Sequence, residues 1–441
     1  MPGLAVKNFR GFDRAIIPFT KTNFFVGENS TGKSSVLALL EILSSPNFYF
    51  NQELASEYCD FSAYDDAISA RNPNGKLSIG YFRLNYNLTK KGIIDSLAFQ
   101  FFNDDGIAGI QSLAYISNGY LIQVILKKTL LQYKVYRAKL EDRKAPISTI
   151  SDLLDNDTSK MQGESVESGT YEYKELPLPS PLITALNILA LKGIRSGEKD
   201  PLVKTRINPA LFVNSTWIAP IRAEAQVINT KNKASYSPKG EHIPTIIRRA
   251  FGSKAQAQLT KKLLDVIPIF GEKSHLFETI GVREYGNSPS SPFEIEVRFG
   301  GANHRVSNLG YGVSQSLPIL LEIASSSNFD SFIIQQPEVH LHPRAQAAFG
   351  DFFFEMVKDR DHSLFVETHS DFLIDRYRLR MNGMRRKVAS QAQVIFFSQK
   401  ENNSNHAEPI RIRPDGSYPE NLPQKFKDFF LKEELQLLAI R

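Results

Sequence analysis

The octapeptide Gly27-Glu28-Asn29-Ser30-Thr31-Gly32-Lys33-Ser34 lies between an apolar run, Phe24-Phe25-Val26, and an apolar stretch, Ser35-Val36-Leu37-Ala38-Leu39-Leu40. That spacing suits a nucleotide phosphate. Two glycines let the backbone curl so that the N–H groups of Asn29, Ser30, Thr31, Gly32, Lys33, Ser34 and Ser35 turn inward. A helix starting at Lys33 adds its positive end to the same spot. Lys33 is placed to reach the β and γ phosphates, and the Ser34 hydroxyl to hold Mg²⁺. A glycine-rich turn that merely starts a helix is the competing reading. The strand before and the helix after favour phosphate.

Three later blocks carry related chemistry. Ser307-Asn308-Leu309-Gly310-Tyr311-Gly312-Val313-Ser314-Gln315-Ser316 precedes an apolar helix beginning at Leu317 and offers a second ring of N–H groups at a helix start. Phe332-Ile333-Ile334 reads as a short buried strand ending in Gln335-Gln336-Pro337-Glu338-Val339-His340-Leu341-His342-Pro343. Ser363-Leu-Phe-Val-Glu-Thr-His369-Ser370 is a second apolar strand ending in a histidine. Each block alone has an ordinary reading as a capped helix, a core strand or a surface histidine. Taken in order and spacing, they resemble the ATP-binding-cassette ATPases, so ATP and Mg²⁺ are the expected cofactors.

The elements that must position these groups follow from pattern. Residues 4–10 and 14–19 read as strands joined at Gly11 and leading into a strand at 22–26. The helix after the glycine loop runs to about Ser44 and is expected to end at Pro46. Alternating β-branched and aromatic runs over 76–140, punctuated by Asp104-Asp105-Gly106 and Asn118-Gly119, predict an antiparallel meander. Residues 151–176 are polar and acidic, and read as a mobile linker or excursion. A helical run at 183–194 follows, then a strand, Leu211-Phe-Val-Asn-Ser-Thr-Trp-Ile-Ala-Pro-Ile-Arg222. Residues 244–266 have helical spacing with Arg248, Arg249, Lys254, Lys261 and Lys262 off the apolar stripe, a solvated face or a nucleic-acid contact. The expected organisation is an ATPase core from 1–50 and 293–441, the meander at 76–140, and a linker with inserted helices at 141–292.

Composition sets bounds. The chain has 441 residues, 42% hydrophobic, enough for a large core and more than one domain. No apolar run approaches membrane-spanning length, and residues 1–10 lack the apolar core of a signal peptide, so no membrane association is expected. One cysteine, Cys59, excludes an internal disulfide framework and a multi-cysteine zinc site, in keeping with a cytoplasmic location. The net charge of +6 is compatible with a polyanionic partner.

Several segments together resemble one family. Asn8-Phe9-Arg10-Gly11-Phe12, Ile218-Ala-Pro-Ile-Arg222, Gly310-Tyr-Gly-Val-Ser-Gln-Ser-Leu-Pro, Pro337-Glu338-Val-His-Leu-His-Pro343 and Glu367-Thr-His-Ser370 look like the single-chain ATPases related to the OLD and RecF proteins. Within that family the chain is most similar to PtuA-like ATPase subunits of the Septu and retron antiphage systems. The likeness covers 1–50 and 205–380 strongly and the middle only by pattern. It implies an α/β ABC-ATPase (P-loop) head with an antiparallel β lobe and a mixed α/β lobe, plus inserted helices. It also implies head-to-head homodimers that enclose two nucleotides. Lys33 would bind phosphate, Ser34 Mg²⁺, and Ser307, Gly310 and Gly312 the partner's γ phosphate, with His369 as the switch histidine. The signature segment lacks the family's usual Ser-Gly-Gly order.

The chain departs from the family at the end of the second strand motif. Gln335 stands where an acid holds Mg²⁺, and Gln336 where hydrolysing members carry a glutamate. An amide cannot accept the proton of an attacking water, so general-base help of about 10²- to 10⁴-fold is expected to be missing. Mg²⁺ binding should also weaken. Glu338, two residues on, is the alternative carboxylate. After the cassette only residues 381–441 remain, without the acidic module of the family's nucleases, so the implied nuclease is a separate subunit, of the HNH type. Arg376, Arg378, Arg380, Arg385, Arg386 and Lys387 form the best DNA or RNA candidate, with a solvated face or a docking surface as alternatives. Two functions follow: an ATP-gated scaffold in an antiphage complex, or a RecF-like repair ATPase acting directly on DNA.

Overall fold

An N-terminal hairpin, β1 (Pro2–Phe9) and β2 (Phe12–Pro18), precedes a strand that is buried along its whole length, β3 (Thr22–Gly27). The computed structural model describes residues 2–84, 94–117, 119–139, 146–193, 215–223, 226, 228–230, 235–288, 290–326, 330–360, 362–382 and 391–430. Two compact units are present, one of Met1–Phe19, Glu28–Val213 and Phe397–Glu408, the other of Thr20–Gly27, Asn214–Phe396 and Pro409–Arg441.

In the first unit, α1 (Lys33–Ser44), α2 (Pro46–Asn51) and α3 (Tyr64–Ala67) lead to five strands: β4 (Leu77–Leu84), β5 (Ile94–Asp104), β6 (Ile107–Ser117), β7 (Tyr120–Leu126) and β8 (Leu130–Ala138). The meander is antiparallel throughout, as the alternation predicts. Asp105 and Gly106, at φ 51° and 90°, make the left-handed two-residue turn that Asp-Gly favours. Leu153 and Leu154 of α4 (Pro146–Asp155) are buried with Phe82, Ala98 and Leu121 in this unit's core. Lys7 and Arg14 reach Asp155 at 2.7 and 2.6 Å.

Three local expectations differ from the structure here. Pro46 does not only end α1: with Ser45 accepting from the Asn47 N–H it opens α2, a position where proline's missing N–H costs nothing. The polar stretch over 151–176 is not a linker. It contains the end of α4 and an eleven-residue strand, β9 (Gln162–Glu172), which pairs with β8 at the sheet edge. The ladder is a backbone property, and polar side chains suit an edge strand, so low hydrophobicity there did not mean absence of structure. The sheet order is β2-β1-β4-β5-β6-β7-β8-β9. Two short helices, α5 (Pro181–Leu186) and α6 (Ile188–Leu191), break at Asn187 within the run read as one.

A six-stranded sheet, with most of its residues in the second unit, has the order β10-β14-β15-β3-β16-β17. Its strands are β10 (Ser215–Ile218), β14 (Ser331–Gln335), β15 (Ser363–Glu367), β16 (Ala392–Gln399) and β17 (Asn405–Arg411), with β3. β10, β14, β15 and β3 run parallel, so their carboxyl ends share one edge. Between β10 and β14 come α7 (Ile243–Phe251), α8 (Ala257–Leu264) and α9 (Ile267–Ser274), then a small antiparallel sheet of β11 (Thr279–Glu284), β12 (Phe293–Phe299) and β13 (Ala302–Arg305), and α10 (Tyr311–Ser325). The run at 244–266 is therefore two helices, parted after Gly252. α11 (Pro343–Arg360) and α12 (Asp371–Met381) pack closely because Gly350 has no side chain: a Cβ there would lie 2.4 Å from the Leu373 carbonyl oxygen. Residues 211–214 of the strand read from sequence lie outside the described residues. No helix among the described residues is long and apolar enough to cross a membrane.

Candidate functional site

The glycine loop leaves β3 at Gly27 and enters α1 at Lys33. Gly32 sits at φ 95°, and a Cβ on it would come within 2.5 Å of the Phe12 ring, so conformation and space both demand glycine. Ser30 also adopts a left-handed conformation, at φ 63°. Thr31 Oγ1 and Lys33 Nζ both donate to the Glu28 carbonyl oxygen at 2.7 Å, which folds the lysine across the loop. Lys33 is 4% exposed, while Glu28, Asn29, Ser30 and Ser34 are exposed. No side chain caps the N-terminus of α1 and no acid stands in its first turn. A helix start with a held ammonium, no side-chain cap and no acid in its first turn fits a phosphate chain.

In the second unit β14 and β15 end side by side, with Gln335 in register with Glu367 and Glu367 with Phe25 of β3. Gln335 Nε2 donates to Glu367 Oε2 at 3.2 Å. The chain then turns sharply. Gln336 lies at φ 44°, and its N–H donates to the Glu367 carbonyl oxygen at 2.8 Å. Glu338 accepts from Thr368 Oγ1 at 2.9 Å and from the His369 N–H at 2.6 Å. Burial pushes the Glu338 carboxyl above the usual range, against these bonds and the Arg222 charge. The His369 residue is exposed, and Ser370 Oγ caps α12 by accepting from the Leu373 N–H. Gln335, Gln336, Glu338 and His369 are thus gathered at one sheet edge.

Ser307 lies in a short 3₁₀ turn over Val306–Asn308, Gly310 is the N-cap of α10, and Gly312 is in its first turn. Here too no side chain caps the helix and no acid is in its first turn. Gln315, one turn on, clamps the backbone of Arg222: its Oε1 accepts from the Arg222 N–H at 3.2 Å and its Nε2 donates to the Arg222 carbonyl at 3.3 Å. Arg222 Nη2 donates to the Gln335 carbonyl oxygen at 3.0 Å. A path of hydrogen bonds therefore runs from the signature helix to the last residue of β14. Arg222 is 2% exposed, and its Nε and Nη1 have no hydrogen-bond partner among the described residues. Desolvation lowers its pKa to about 10, the Glu338 carboxylate opposing, so it stays charged at neutral pH.

Sequence alone assigns no role to Arg222 or Glu367. Their positions, each at or just past the carboxyl end of a parallel strand, were the available signal. The arginines of α12 are matched to acids. Arg376 and Arg380 approach Asp351 at 3.5 Å, Arg380 also pairs with Glu355, and Arg378 meets Asp375 at 2.7 Å while lying 3.8 Å over the Tyr418 ring. Arg385, Arg386 and Lys387 lie outside the described residues. Arg248, on α7, pairs with Glu284 at 2.8 Å.

Comparison with known proteins adds a family. A family model described as AAA ATPase domain matches residues 2–176 and 213–374. No curated protein matches the sequence. Among solved structures, an Smc head bound to the C-winged helix domain of ScpA shares 14% identity over 93% of this chain and 97% of that one, with a TM-score of 0.40. An Smc head with an extended coiled coil from Pyrococcus furiosus gives 14% identity, coverage of 100% and 99%, and a TM-score of 0.39. The SMC head domain from Thermotoga maritima gives 12%, 92%, 98% and 0.36. At such scores the fold is read from the sheets described above.

Proposed function

This chain belongs to the AAA ATPase domain family, and on that premise we propose that it is an ATP-held dimer clamp, the ATPase subunit that scaffolds and restrains a separate nuclease in a bacterial antiphage complex. The backbone N–H groups of residues 29–35 and the Lys33 ammonium hold the phosphates. Ser34 would hold the magnesium ion, which when bound neutralises phosphate charge. Ser307, Gly310 and Gly312 reach the γ phosphate held by the second copy, and His369 senses it.

The observation that carries the reading is the end of β14. Gln335 and Gln336 are both amides, and Glu338 has each carboxylate oxygen committed, one to Thr368 and one to the His369 N–H. Glu338 therefore fixes the backbone that carries the switch histidine, and neither residue 335 nor residue 336 can act as the water-activating base. A motor needs turnover, whereas a clamp needs retention. The acids already matched to Arg376, Arg378 and Arg380 also favour the scaffold over an ATPase acting directly on DNA.

The test is nucleotide retention by the purified chain, with phosphate release and molar mass followed together. Expected are ATP-dependent dimers, less than one turnover per minute, and loss of affinity of about 10²-fold in Lys33→Ala, the worth of a charge-assisted phosphate contact. Sustained release of many phosphates per minute would overturn the clamp. Co-purification of a nuclease from the host supports the defence assignment, and recovery of DNA with no protein partner refutes it.

A further inference from the structure

We propose that Tyr133, Tyr171 and Glu167 form a receptor for an alkylammonium group, the end of a lysine side chain, and that the chain's own Lys192 occupies it as a displaceable guest. The inference uses the first unit alone and is independent of the nucleotide reading.

The receptor is built by two paired strands. β8 and β9 run antiparallel, with Tyr133 opposite Gly169, Leu131 opposite Tyr171 and Val135 opposite Glu167. Because side chains alternate along a strand, Tyr133, Glu167 and Tyr171 stand on one face of the sheet, around Gly169. The glycine makes the room: a Cβ there would lie 2.6 Å from the Tyr133 hydroxyl, so the tyrosine lies across it. Tyr133 and Tyr171 stack with centroids 5.8 Å apart and planes 22° from parallel. The Tyr133 hydroxyl donates to Glu167 Oε1 at 2.9 Å, which fixes the carboxylate beside the rings.

The guest comes from a different element. Lys192 is the C-cap of α6, and its Nζ lies 3.2 Å from Glu167 Oε1, 5.5 Å from the Tyr133 centroid and 5.3 Å from that of Tyr171. Both ring distances fall within the reach of a cation–π contact, about 6 Å. Hydrogen bonding to Tyr133 is the chief cause that raises the pKa of Lys192, burial opposing, so the guest is a cation at neutral pH. Other ion pairs of this sheet edge lack such a setting. Lys174 with Glu172 and Arg137 with Glu164 are more than half exposed on both sides, whereas Lys192 and Glu167 are 30% and 31% exposed.

Exchange follows from how the two parts are held. The ladder between β8 and β9 keeps the rings and the carboxylate in place when the lysine leaves. Gly193, the next residue, adopts φ 61°, and a Cβ on it would meet nothing within 4 Å, so no packing there holds the tether down. A part-exposed ion pair and a cation–π contact together favour the occupied state by about tenfold. A tethered competitor of that strength weakens an outside ammonium by the same factor. The rings and Glu167 select a cation with N–H donors over an anion or a neutral amide.

The experiment titrates the full chain with n-butylammonium chloride, a lysine side chain without its backbone, at constant ionic strength, and follows binding by saturation-transfer NMR. Wild type, Lys192→Ala, Lys192→Ala/Tyr171→Leu and Lys192→Ala/Glu167→Gln are compared. Lys192→Ala should bind the probe about tenfold more tightly than wild type, and each second substitution should remove that gain. Equal affinity of Lys192→Ala and wild type, or a gain that survives either second substitution, overturns the proposal. Should Tyr171→Leu fail to fold, the Glu167→Gln arm decides alone, since an amide keeps the shape of the carboxylate and removes its charge.

Discussion

Glu338 offers a substitution whose sign can be worked out before measurement. Both of its oxygens are engaged, by Thr368 Oγ1 at 2.9 Å and the His369 N–H at 2.6 Å. Alanine removes both bonds. A backbone N–H bonded to a carboxylate is worth about 1.5–3 kcal/mol and a hydroxyl contact about 1 kcal/mol, and the Thr368 hydroxyl would be left buried. Relief of the buried carboxylate returns part of this, so Glu338→Ala should cost about 2–3 kcal/mol. Glutamine keeps the shape: its Oε1 accepts from the His369 N–H and its Nε2 donates to Thr368 Oγ1. What remains is the charge. Burial raises the Glu338 carboxyl despite the bonds and Arg222, so the surroundings as a whole disfavour the anion. Glu338→Gln should therefore lie within about 1 kcal/mol of wild type, on the stabilising side at neutral pH.

The pH dependence has a definite sign. Because the folded carboxyl titrates above its ordinary value of 4.5, the folded chain binds that proton more readily. Wild type keeps the associated stability below that value and loses it as pH rises through the raised one. The advantage of Glu338→Gln should accordingly vanish in acid and be complete at neutral pH. Urea unfolding followed by Trp217 reads this unit selectively, since Trp217 is the chain's single tryptophan and lies on β10 beside β14. Equal stability of the alanine and glutamine variants at pH 7 would refute the argument, because it would mean that the two bonds hold nothing.

Two further outcomes are expected. Gln336→Glu, which places a carboxylate where hydrolysing relatives of the resembled family carry one, should raise single-site phosphate release by about 10²- to 10⁴-fold, while Glu338→Gln leaves the slow wild-type rate unchanged. Hydrogen bonds from Ser253 and Arg248 hold the Glu284 carboxyl down to about 2. That stability is present above the ordinary value of 4.5 and is lost as pH falls through about 2, so Arg248→Met should cost about 1–2 kcal/mol in urea unfolding at pH 7 and markedly less at pH 3.

The sequence by itself determined what short-range chemistry specifies. The loop from Gly27 to Ser34 needs only two glycines, an apolar strand and a helix, and Gly32 at φ 95° bears that out. The Asp105-Gly106 turn and the alternation over the meander are likewise local and were legible. Tertiary structure alone decided the rest, because pairing partners are chosen by the sheet and not by sequence distance. β9 looked like a polar linker until β8 supplied its ladder. Gln335 meets Glu367 across 32 positions, and Arg222 meets Gln335 across 113. Amides at 335 and 336 could be read as lost acids from the text, but only parallel strands in register could place a carboxylate beside them.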